Sequence, residues 1–188
     1  MSETKIIMLI VFGLIFFSAF TWSVYTYNQF IQFKNMAQSA WSDIDVYLTK
    51  RHELIPNLVE IVKEYMVHEK ETLVDIINAR NKAVGEIDNQ KQIPIENKIS
   101  GQLGNLFILS ENYPEIKANT NFLKLHEQLT EVENDIANSR RYYNAVIRDN
   151  NNLVVIFPQK FIAILFGFKA GVYFQASSQA RERLEVDL

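Results

Sequence analysis

The chain has 188 residues, with 19 basic and 22 acidic side chains, a net charge of −3 and no cysteine. That balance argues against nucleic-acid binding, which rests on a basic excess. The missing thiols exclude disulfides, thiol catalysis, thiolate metal sites and a lipid anchor on cysteine.

The first element is set by the charge pattern. No Asp, Glu, Lys or Arg stands between Lys5 and Lys34, and Ile6–Tyr25 is almost wholly apolar. A bilayer core of ~30 Å needs ~20 helical residues, so this run is long enough to span it. Trp22, Tyr25 and Tyr27 stand at its C-terminal end, where amphipathic rings favour the headgroup boundary. The expected anchor residues are Ile6, Leu9, Phe12, Leu14, Phe16, Phe20, Trp22 and Tyr25. A cleaved signal peptide is the alternative, with Lys5 as its positive region. The run exceeds the usual ~7–15-residue apolar core of such peptides, and Ala19-Phe20-Thr21 is the nearest approach to a cleavage site. The reading is a single-pass anchor over residues 6–26 behind a short head, residues 1–5. Positive charge before and after the span differs by about one unit, which tilts the following domain towards the extracytoplasmic side without fixing it.

Scarce glycine and proline, six and four, favour long helices after the span. Phe30, Phe33, Ala37, Ala40, Ile44, Tyr47, Arg51, Leu54, Leu58, Ile61 and Tyr65 step by threes and fours, so the anchor helix is expected to run on. Trp41, Leu48, Ile55 and Val62 widen the stripe, and Pro56 is expected to bend or break the helix near Ile55. A second helix is predicted over about 70–86, with Leu73, Ile76, Ile77, Arg80, Val84 and Ile87 inward. Residues 88–94 read as a polar loop closed by a proline, and a third helix follows over about 95–112, with Ile99, Leu103, Leu106, Phe107 and Ser110 on one face. Tyr113-Pro114 should end or kink it. Phe122, Leu125, Leu129, Val132, Ile136, Ser139, Tyr143, Val146, Asn150 and Leu153 mark a fourth helix with a coiled-coil-like seam. After Pro158, Phe161–Phe168 is a compact apolar block too short to span a bilayer as a helix. Phe161, Ile162, Leu165, Phe166 and Phe168 are candidates for contact with a second copy or with the bilayer surface, against packing within the chain. Residues 176–188 read as a polar tail. The fold class is all-α: a transmembrane helix continuing into an antiparallel bundle of about four long helices over 27–175, with a short C-terminal apolar segment.

Several motifs stand in an order that resembles the LemA family. They are Tyr27-Asn28, Ala40-Trp41-Ser42-Asp43-Ile44-Asp45-Val46, Leu54-Ile55-Pro56-Asn57-Leu58-Val59, His68-Glu69, Ala79-Arg80, Glu111-Asn112-Tyr113-Pro114, Lys117-Ala118-Asn119, Arg140-Arg141-Tyr142-Tyr143-Asn144 and Phe166-Gly167-Phe168. The resemblance covers about residues 25–175 and implies an N-terminal membrane anchor and an antiparallel helical-bundle domain. It implies no reaction.

The chemistry-bearing residues are few. Three His-Glu pairs, His52-Glu53, His68-Glu69 and His126-Glu127, lack the second histidine that a zinc-protease helix needs four residues on; Pro56, Thr72 and Thr130 stand there. Glu64 and His68 could share a face, but a solvated pair is the preferred reading. No Walker loop, dinucleotide glycine motif or nucleophile elbow is present. Arg51 and Arg80 fall on inward stripes and must be paired, with Asp43, Asp45, Glu53 and Glu111 as candidate partners. Structural ion pairs are preferred over a ligand-binding cluster. Arg140, Arg141, Tyr142 and Tyr143 point in successive directions ~100° apart on a helix, which favours a solvated face over a phosphate site.

The function expected is that of a membrane-anchored, self-associating interaction or scaffold protein without catalytic activity, cofactor or metal. Its partners would be the lipid bilayer, further copies of itself and other membrane proteins. The alternative is a membrane-tethered receptor for a small anionic molecule near Arg51 or Arg80; a hydrolase comes third.

Overall fold

The computed structural model describes residues 3–175. The expected tail, 176–188, and the first two residues of the head lie outside the described residues. Helix α1 is Glu3–Val62, α2 Lys70–Val84, α3 Asn89–Ser110, α4 Pro114–Lys117, α5 Thr120–Val155 and α6 Gln159–Phe166. A one-turn 3-10 helix, Val67–Glu69, joins α1 to α2, and no strand occurs among the described residues. The all-α class and the direct run of the apolar span into the first bundle helix are as the sequence predicts.

Among the described residues, packing gives two compact units: residues 3–39 with Asn144–Tyr173, and Ala40–Tyr143 with Phe174 and Gln175. This grouping follows contacts, whereas the division at residue 26 follows composition.

In the second unit, one apolar core joins Ile55, Leu58 and Val62 of α1, Leu73, Ile76, Ala79 and Ala83 of α2, Ile99, Leu103 and Leu106 of α3, Ile116 of α4, and Phe122 and Leu129 of α5. A second cluster gathers Trp41, Ile44 and Leu48 with Ile93, Val132, Ile136 and Phe174. In the first unit, Phe30, Ile162 and Ala163 form the core, with Trp22, Leu153, Val154 and Phe168 against it.

Three boundaries differ from expectation. First, α1 is helical through Pro56. Second, α3 begins six residues early, because Asp88 is an N-cap rather than a loop residue: its Oδ1 accepts from the Gln90 amide at 2.9 Å. Pro94 then sits in the second turn, where the carbonyl it leaves unbonded belongs to exposed Gln90. Third, α2 ends at Val84, so Val84 and Ile87 do not face inward: they are 57% and 95% exposed, and Ala79 and Ala83 take the inner positions. At the other end of the bundle, Asn119 caps α5 by accepting from the amides of Asn121 and Phe122 at 3.0 and 3.1 Å.

Candidate functional site

The first unit carries the apolar segment expected to anchor the chain, which is long and apolar enough to cross a membrane. Ile6, Leu9, Phe12, Leu14, Phe16, Phe20 and Tyr25 are all exposed, and the most apolar window of α1 is 0% buried. Trp22 is half-buried against the unit's core. Water would make such an exposed apolar surface costly; a bilayer would not. Two of the polar side chains inside the run, Thr21 and Ser23, are internally satisfied. Thr21 Oγ1 donates to the carbonyls of Phe17 and Ser18 at 3.1 and 3.0 Å, and Ser23 Oγ to that of Ala19 at 2.8 Å. Such back-bonding removes the penalty that a lone hydroxyl would meet in hydrocarbon.

The Phe161–Phe168 block divides by face. Ile162 and Ala163 are buried in the first unit's core, and Phe168 stacks on Phe30 at 4.6 Å. Phe166 meets the Tyr27 ring edge-on at 4.9 Å. Phe161, Ile164 and Leu165 remain exposed, Leu165 by 74%. The helix ends at Gly167, whose φ of 71° is a left-handed conformation open to glycine, and its amide bonds back to Ile164. Part of the block therefore packs within the chain and part does not.

The second unit holds a buried charge network. Arg51, 0% exposed, pairs with Glu96, also 0% exposed, and its other terminal nitrogen reaches Glu133 at 2.5 Å and donates to Ser100 Oγ at 2.7 Å. Ser100 Oγ in turn donates to Glu133 at 2.9 Å. Glu96 also meets His52 Nε2 at 3.1 Å and accepts from Gln92 Nε2 at 3.2 Å. Burial alone would raise the Glu96 carboxyl; the His52 hydrogen bond, the Arg51 charge and the His52 charge outweigh it and hold Glu96 below its ordinary value. Arg140 lies nearby, its guanidinium 4.0 Å over the Phe174 ring and donating to Asn97 at 3.3 Å. Burial first, then the Arg51 charge, push Arg140 down to about 10, against the pull of Glu133 and Glu96.

These contacts correct the partner assignment. Arg51 pairs with Glu96 and Glu133, not with Asp43, Asp45, Glu53 or Glu111. Arg80 has a different role. Its Nε donates to the His52 carbonyl at 3.1 Å, and its Nη1 to Asn81 Oδ1 at 3.1 Å. His52 is four residues before Pro56, so its carbonyl is the one that proline leaves without a helical donor. Arg80 supplies that donor, and the helix passes through Pro56. Substituting Arg80→Met should therefore cost about 1–3 kcal/mol in chemical unfolding of the full chain. The same substitution should cost much less in a Pro56→Ala background, where an amide returns to the His52 carbonyl. Equal losses in both backgrounds would show that the two are not coupled.

Arg80 also lines a groove of about 480 Å³, together with Asp45, His52, Glu53, Glu86 and Gln92. Three carboxylates there face one half-buried arginine whose donors are partly engaged. Among the described residues no group of three metal-ligating side chains occurs.

The sequence does not single out Glu96, Glu133, Ser100, His52 and Arg140 as a network. A signal is present: Glu96, Ile99, Leu103, Leu106 and Ser110 step by threes and fours, so Glu96 extends the third helix's inner stripe once that helix starts at 89.

The LemA family model matches residues 40–188. The chain is 28% identical over 162 positions to Protein LemA of Metamycoplasma hominis, covering 85% of this chain and 73% of that one. It is 24% identical over 175 positions to Magnetosome protein MamQ 2 of Paramagnetospirillum magneticum, and 23% over 174 to Magnetosome protein MamQ of Magnetospirillum gryphiswaldense. Each of those matches covers 79% of this chain and 64% of the relative, so the chain spans slightly under two-thirds of the MamQ proteins' length.

Proposed function

The chain belongs to the LemA family, and from that membership and the geometry above we propose that it is a membrane-anchored interaction or scaffold protein, self-associating and without catalytic activity. The observation that carries the reading is where the charge goes. Arg51, whose guanidinium is fully buried, already has two carboxylates and a hydroxyl in the places a ligand would take. Catalytic groups need access to a substrate, and the Arg51–Glu96 pair at the centre of this cluster is closed to it. Apolar surface is instead turned outward along the anchor. Tethering confines copies to one plane and raises their effective concentration, which favours weak lateral contacts between anchors. The charge margin across the span favours a bundle outside the cytoplasm.

The test uses the full chain in its own membrane. It should stay in the pellet through high-salt and alkaline carbonate washes. After crosslinking in the membrane it should run as discrete multiples of the monomer. Release by carbonate would remove the anchor, and a purely monomeric ladder would remove self-association.

A second reading has one observation behind it. Arg80 lines an open groove, the place for a small ligand. An anion there would face Asp45, Glu53 and Glu86 as well as Arg80, which weakens the anionic-ligand alternative and leaves Arg51 no part in it.

A further inference from the structure

We infer that the outer face of α6, with the turn before it, is a second membrane contact that lies in the interfacial layer of the leaflet where the anchor emerges. The inference rests on the anchoring part of the proposed function and not on self-association. Three observations carry it.

The first is level. The inner face of α6, Ile162 and Ala163, packs in one cluster with Trp22 and Phe30 of α1. Those two residues bracket the end of the apolar run at Tyr25 and lie ~12 Å apart along a helix axis. The headgroup layer adds ~5–8 Å to each side of the hydrocarbon core. A helix packed between those two levels is held where the span leaves hydrocarbon for headgroups.

The second is direction. At ~100° per residue, Phe161, Ile164 and Leu165 share an arc opposite Ile162 and Ala163. All three are exposed, and Ile156 and Phe157 in the preceding turn are exposed as well. These side chains extend the apolar surface of the anchor sideways. A helix apolar on both sides, packed on a membrane span, fits an element lying in the interface.

The third is charge. Residues 150–175 contain Lys160 and Lys169 and no Asp or Glu. Both lysines are exposed and flank the apolar face. Lysines beside an apolar face match phosphate headgroups. A second copy of the same face would instead bring lysines against lysines.

The chain has no cysteine, so single-cysteine variants can be labelled cleanly in the full-length protein. F161C and L165C would carry an environment-sensitive nitrobenzoxadiazole dye, with F16C as the mid-anchor reference and V74C as the exposed reference in the bundle. Each would be placed at one chain per nanodisc of phosphatidylcholine with phosphatidylglycerol, doped with lipids bearing a nitroxide near the carbonyl or near the chain end. At 161 and 165 the emission should be blue-shifted from that at 74, and quenched several-fold more by the shallow nitroxide than by the deep one. At 16 the order should reverse. Emission and quenching at 161 and 165 that match position 74 would overturn the inference. So would a blue shift that nitroxide lipids do not quench, or one that appears only with several chains per disc, which would assign the face to a second copy. The label at position 16 reports anchoring separately, so failure at α6 and failure of the anchor are distinguishable.

Discussion

Arg51→Met should destabilise the full-length protein by about 3–5 kcal/mol at neutral pH, the range for stripping one partner from a buried ion pair, and it should blunt the loss of stability in acid. In the native chain Glu96 is held below its ordinary value of 4.5. The unfolded chain therefore binds more protons there in that window. Stability from this group is present above 4.5 and is lost as the pH falls through the folded value. Without Arg51, Glu96 keeps the burial that raises it and loses its nearest positive charge. The His52 hydrogen bond and charge remain, so its folded value rises from the native one without losing every lowering influence. The stability lost as the pH falls through and below 4.5 should therefore be smaller in the variant than in the native chain.

The double substitution Arg51→Met with Glu96→Gln tests the same logic. Removing both charges should recover much of the loss, because a buried pair replaced by neutral groups of like size is often close to neutral. Glu133 is partly exposed and can be solvated, so it should not obstruct that recovery. Urea unfolding monitored by circular dichroism in mild detergent, at neutral pH and at a pH below 4.5, reads both effects. A variant as stable as the native chain at neutral pH would mean that the guanidinium is not sealed from water.

The same network shows where the sequence is legible and where it is not. A long helix with one unbroken period is readable: none of the ten seam residues assigned to α5 is exposed. The α1 stripe is equally plain, down to Arg51 in a position otherwise held by apolar side chains. Partner choice is not local. Glu96 and Glu133 lie 45 and 82 residues from Arg51, and no spacing along the chain brings them together. Of the candidate partners, Asp43, Asp45 and Glu53 are near Arg51 in sequence and Glu111 is not, and Arg51 pairs with none of them. Proline misleads twice for one reason: its effect depends on what meets the carbonyl it frees. At Pro56 a distant arginine does, and at Pro94 the carbonyl lies at an exposed position. Val84 and Ile87 fit an inward pattern by residue type, but the helix closes at Gly85 before the period reaches Ile87. The apolar block at 161–168 is visible as a block, yet which side it buries depends on α1, far away in sequence.

Leu129→Ala is expected to lower stability by about 2–5 kcal/mol, with the folded helicity unchanged. Leu129 is 0% exposed and belongs to the core that joins five helices of the second unit. Two losses add: the transfer free energy of the deleted methyl groups, and the dispersion contacts of a cavity the neighbours cannot fill. The contrast is Ile87, an apolar side chain of similar size at 95% exposure. Ile87→Ala should change stability by less than about 0.5 kcal/mol, as for a surface position. The pair distinguishes a packed core from a loosely collapsed one. In a loose bundle the neighbours would close around the smaller side chain, and Leu129→Ala would cost little more than Ile87→Ala. Urea midpoints with matched slopes for the two variants decide the matter, since a change of slope would report a different unfolded state rather than a cavity.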